Sequence, residues 1–113
     1  MERSLIVQSP RARPSQRSTD TVDAALAHEI LAEQASSLGR AGRAVAASLA
    51  ALRAFEGGAD ERARLVQAAA DAVFGYFVQR ELCGLRRHDD AIRDYAIPRE
   101  VIVRVGAAAP PPR

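Results

Sequence analysis

A chain of 113 residues with a formal net charge of +2 has room for one small domain, and with two Tyr, three Phe and no Trp its apolar content is short of large rings. Each buried helical turn therefore contributes less than a Leu-rich or Phe-rich one would, so close backbone packing or a partner subunit must make up the difference. A single cysteine, Cys83, excludes an intramolecular disulfide and a cysteine-rich zinc site, and no apolar run reaches the ~18 residues of a membrane span, which makes the cytosol the expected compartment and a membrane partner unexpected.

The first stretch, Met1 to Thr19, is a Pro, Ser and Arg segment without periodicity. It carries Arg3, Arg11, Arg13 and Arg17 against Glu2, a net +3, whereas Asp20 to Val105 carries eleven Arg against thirteen acids, a net −2. The basic balance thus sits at the ends. All 16 basic residues are Arg, which reads as coding bias before it reads as nucleic-acid chemistry. Residues 1–19 are expected to be a disordered basic arm, 20–106 the helical domain, and 107–113, with its three consecutive prolines, a disordered tail. Leu5, Ile6 and Val7 are β-prone and could dock in a groove or add a short strand. The Arg- and Ser-rich start has the composition of a transit peptide, but Pro10 and Pro14 count against the amphipathic helix such a peptide needs.

Asp20 or Thr21 can cap a helix that the pattern carries to about Glu56, with Asp23 favoured in its first turn. Ala27, Leu31, Leu38, Val45, Leu49 and Leu52 form one stripe. Leu31, Leu38, Val45 and Leu52 are seven apart, with small Ala35 and Gly42 between them, which suits an alanine-type coiled coil with close axes. Gly39 and Gly42 together cost up to ~2 kcal/mol in helix propensity, so each should serve close packing or a kink.

Gly57-Gly58 ends this helix and Asp60 with Glu61 starts the second, so the two become antiparallel neighbours. From Asp60 to Leu85 the apolar residues fan over roughly 220°, well beyond the stripe of a surface helix, and this helix needs cover on two sides. The turn sets Gly42 against Phe74 and Gly39 against Phe77. Arg80 falls inside the apolar arc and must be paired or lie at a subunit boundary, with Gln34 offered as a partner by the first helix and Asp90 or Asp94 by the returning chain.

Gly84 after Cys83 resembles a Schellman stop, and Asp89 or Asp90 can open a short helix ending near Tyr95. Pro98 suits the first turn of a last segment, Arg99 to Val105, closed by Gly106. Its β-branched residues would read equally well as a strand.

Arg80-Glu81-Leu82-Cys83-Gly84-Leu85-Arg86, Arg93-Asp94-Tyr95-Ala96-Ile97-Pro98 and Glu29-Ile30-Leu31-Ala32-Glu33-Gln34-Ala35 resemble a family of small, helical, uncharacterised alphaproteobacterial proteins, over roughly Ala25 to Gly106. The resemblance implies an all-helical fold and no assigned activity. It also leads one to expect glycine before Ile97, where this chain has Ala96.

Three constellations have chemical readings. The hairpin register brings His28 and His88 to the same end as acids that could hold a metal, but no His-x-x-x-His spacing is present and a solvated charged end explains them better. Cys83 with His88 could form a nucleophile and base, yet nothing supplies the electropositive pocket or the orienting group. Ala91 to Val105 resembles the second half of a helix-turn-helix that would offer Arg99, Glu100, Val103 and Arg104 to DNA, against a folded part of net negative charge.

The expected fold is all-α, a long antiparallel helical hairpin with one or two short C-terminal helices, completing a bundle as a homodimer. The expected function is a self-associating interaction or scaffold module with no catalytic residues, metal or cofactor; the alternative is a small regulatory DNA-binding protein.

Overall fold

The computed structural model describes the backbone of residues 8–107 and the side chains of residues 18–107. The Leu5–Val7 segment and the tail beyond Ala107, with the expectations attached to them, lie outside the described residues. The described elements are α1 (Gln8–Ala54), α2 (Ala59–Leu82), α3 (Asp89–Asp94) and α4 (Arg99–Ile102), with no strand among the described residues. The β-branched run that also suits a strand forms α4 and the turns after it. Pro98 is the N-cap of α4, one position before the first turn, and its carbonyl accepts from the amides of Val101 and Ile102.

Helix α1 starts at Gln8, ahead of the cap expected at Asp20 or Thr21. Pro10 falls in the first turn, where an amide would have no partner inside the helix, so the ring removes nothing there. The helix continues unbroken through Gly39 and Gly42.

Contacts divide the chain into two units, Met1–Glu33 and Gln34–Arg113. In the first unit Val22, Leu26, Ile30 and Leu31 are exposed, without cover among the described residues of that unit. In the second, α1 and α2 pack antiparallel and enclose the core. Val45, Leu49 and Leu52 of α1 meet Val66, Ala69, Ala70, Val73 and Tyr76 of α2, and Ala91, Ile97 and Val101 close the core from the returning chain. At 3.6 residues per turn the buried positions of α2 from Ala70 to Tyr76 span an arc of about 120°. Phe74, Val78 and Leu82 lie outside that arc and stay exposed.

The hairpin register differs from the expected one by two positions. Gly42 faces Tyr76, whose Cε1 would lie 3.5 Å from a Cβ added there, and Tyr95 rather than Phe74. Two residues along a helix turn a side chain by about 200°, which moves Phe74 from the covered side to the open one. Gly39 likewise meets only the guanidinium of Arg43 instead of Phe77.

Both helix stops at this end of the core are Schellman motifs. After α2, Leu85 N donates to Arg80 O at 2.9 Å and Gly84 N to Glu81 O at 3.0 Å, with Gly84 at φ 90°. After α3, Ile97 N donates to Ile92 O and Ala96 N to Arg93 O, both at 3.0 Å. The left-handed residue here is Ala96, at φ 52°, although it carries a Cβ.

Candidate functional site

Arg80 stands at the end of α2 with its stem among apolar neighbours and is 7 % exposed. Its Nε donates to His88 Nδ1 at 3.0 Å, and its Nη2 donates to Arg87 O at 2.8 Å and to Asp90 Oδ1 at 3.0 Å. The guanidinium also lies 5.7 Å from the Tyr76 ring centroid. Arginine can only donate, so Nδ1 of His88 is an acceptor and the ring proton sits on Nε2, which bonds Glu81 Oε2 at 2.9 Å. The imidazole stacks on Phe77 with centroids 4.1 Å apart and planes 3° from parallel. This knot ties the end of α2 to the loop before α3. Both nitrogens of His88 are held, one by Arg80 and one by Glu81, and the half-buried thiol of Cys83 makes no hydrogen bond to the imidazole.

The other residues expected to join Arg80 stand apart from it. Gln34 is half-buried without a bond to Arg80, and Asp94 is exposed with Arg93 Nε 3.8 Å away. His28 is exposed in the first unit. Among the described residues no group of three or more His, Cys, Asp or Glu side chains is placed to hold a metal ion.

A second cluster fills the gap left by Gly42. Tyr95 meets Tyr76 edge to face, with centroids 5.4 Å apart, and its hydroxyl would lie 2.6 Å from a Cβ at Gly42. Burial pushes the Tyr95 phenol above its ordinary value, helped by the charge and hydrogen bond of Tyr76 and opposed by the attraction of Arg80. Arg53 completes the arrangement by donating to Tyr95 O at 3.1 Å and Ala96 O at 2.9 Å, where the carbonyls at the end of α3 need donors. Sequence reasoning missed Arg53 and the Tyr95–Gly42 contact. The glycine was a visible signal, but its partner comes from a segment that periodicity does not place.

The residues proposed to read DNA are arranged otherwise than on a reading helix. Helix α4 has 4 residues and ends before Val103 and Arg104, so it is about 6 Å long and too short to lie along a major groove. Arg104 donates to Gln67 Oε1 through Nε at 2.9 Å and through Nη2 at 2.6 Å, and Glu100 is paired with Arg62. Arg99 and Val103 are exposed. An open cleft of ≈ 590 Å³ lies beside Glu100 and Arg104, lined also by Ala59, Ala63 and Val66. The arginines around it are engaged within the chain, Arg62 by Glu100, Arg64 by Glu61 and Arg104 by Gln67.

The largest unanswered feature of the second unit is the far side of α2. Phe74 at 49 %, Val78 at 40 % and Leu82 at 64 % exposure follow one another at spacings of four, and Leu85 continues the row past the helix end at 43 %. No charge interrupts the row itself. No helix among the described residues is long and apolar enough to cross a membrane.

No curated protein and no solved structure matches the chain. A family match covers residues 13–113, which contain the Arg80 knot, the tyrosine pair and the open face of α2, and the chain therefore belongs to the family of unknown function DUF6665.

Proposed function

We propose that the chain is a self-associating interaction or scaffold module of the cytosol, acting through the surfaces it presents and not through catalysis. The observation that carries this reading is the uncovered row Phe74, Val78, Leu82 and Leu85. Single exposed apolar residues are ordinary, but a contiguous row along one helix marks a surface that meets another apolar surface. Covering it would remove on the order of 300 Å² of apolar area per chain from water, worth about 7 kcal/mol before the entropic cost of association. The heptad spacing of α1 and the wide apolar arc of α2 support the same reading.

Light scattering across the micromolar range tests it. A mass of two chains or more is expected, with a thermal midpoint that rises with protein concentration. A single-chain mass with a concentration-independent transition would reject self-association. Sequence-selective binding of duplex DNA by the chain at physiological salt would favour the regulatory alternative instead.

A further inference from the structure

The open face of α2 carries an acid at one end and an arginine past the other, with the exposed apolar row between them. Asp71 lies at the start of the row and accepts a bond from Gln67 Nε2 at 2.8 Å, with no cation beside it among the described residues. Arg86 lies just past the other end and has no hydrogen-bond or ion-pair partner among the described residues. Gly75, next to Phe74, is exposed, and a Cβ there would meet nothing within 4 Å. An acid at one end, an unpaired arginine at the other and an apolar row between them is a pattern that a copy of the same surface, turned end for end, can satisfy.

We propose that a second copy of the chain covers this face, α2 against α2, antiparallel, about a two-fold axis level with Val78. The proposal rests on the self-association argued above and adds its register. Such an axis sets Val78 against its own counterpart, Phe74 against Leu82 of the partner copy, and Asp71 beside Leu85 and Arg86 of the partner copy. Every contact off the axis occurs twice, and the assembly closes at two chains. An axis level with Tyr76 would set Asp71 against Glu81 of the partner copy, like charge against like, so the charges select between neighbouring registers. The line of contact from Asp71 to Leu85 is about 21 Å long at 1.5 Å per residue, and Gly75 lets the axes approach to the near end of the usual 8–10 Å range.

The test uses the full chain. In a Cys83→Ser background, Val78→Cys should give a covalent dimer on mild oxidation, because a residue on the axis brings its Cβ within disulfide reach of its counterpart. Asp71→Arg should raise the dimer dissociation constant about ten-fold, and Asp71→Arg with Arg86→Asp should return it to within about three-fold of the parent. Circular dichroism checks that each variant keeps its helix content, which the exposure of these sites allows. A dimeric parent whose Val78→Cys variant stays uncrosslinked, or whose charge exchange fails to restore association, would overturn this register and leave self-association standing. A monomeric parent would overturn both.

Discussion

Replacing Ala96 by glycine should stabilise the protein, against the usual sign of such a change. Ala96 is held at φ 52° by the Schellman bonds of α3 and by Arg53 on its carbonyl. A Cβ in the left-handed region crowds the next carbonyl at a cost of roughly 1–2 kcal/mol. The side chain is exposed, so removing it forfeits no packing. Glycine gives back about 0.5–1 kcal/mol through the greater freedom of the unfolded chain. The balance is a gain of about 0.5–1 kcal/mol, visible in urea titration at fixed protein concentration as a higher midpoint with an unchanged slope. Ala68→Gly supplies the contrast: this alanine is exposed in the middle of α2, where glycine should cost about 1 kcal/mol. If Ala96→Gly proved as destabilising as Ala68→Gly, the strain assigned to the turn would not exist.

Arg80→Ala should cost about 2–3 kcal/mol, from the acceptors left on Arg87 and His88 and the lost packing of the stem; Asp90→Asn should cost under about 1 kcal/mol, because that carboxylate side chain is 60 % exposed. Equal costs in chemical denaturation would place the stabilisation in the ion pair instead. Gly42→Ala should destabilise by about 1 kcal/mol or more, since the new methyl meets a rigid phenol, whereas Gly39→Ala should be neutral or stabilising because only the mobile end of Arg43 must move. Tyr95 has a folded-state value raised chiefly by burial, so its contribution to stability is complete below its unfolded value near pH 10 and is lost as the pH rises through the folded value. Thermal midpoints should therefore fall above about pH 10 in the parent and fall less in Tyr95→Phe; parallel curves would show that Tyr95 is not the group responsible.

The helical hairpin was legible because its punctuation is local. Gly57-Gly58 and Gly84 each mark a stop that needs no knowledge of the rest of the chain, and the apolar arc of α2 separates it from an ordinary surface helix; Gly106 does not, because α4 ends at Ile102 and turns follow it. The burial of Arg80 followed from the same wheel, with its acid drawn from the few groups within reach. Register was not legible. It depends on the conformation of the connection from Phe55 to Gly58, and a difference of two positions exchanges Phe74 for Tyr76 at Gly42. The beginning of α1 was also misplaced: Pro10, in the first turn, looks the same in sequence as a proline that forbids a helix, and Pro14, a turn further in, lies within the helix as well. Ala96 is the reverse case: the resemblance leads one to expect glycine there, and the hydrogen bonds around Ala96 impose the left-handed conformation without it.

The Tyr95 hydroxyl also ties two distant positions into a single unit of inheritance. The oxygen would lie 2.6 Å from a Cβ at position 42, but the ring carbon that bears it would lie 3.7 Å away, an ordinary contact. A glycine facing a tyrosine and an alanine facing a phenylalanine therefore fill nearly the same volume, and either pair can seat α3 against α1. The mixed pair of alanine and tyrosine overfills the space, while glycine with phenylalanine leaves it short by one oxygen. A lineage can pass from one good pair to the other only through a poor one. Among relatives the two sites should accordingly change together, and Gly42→Ala, harmful alone, should become tolerable in a chain that already carries Tyr95→Phe.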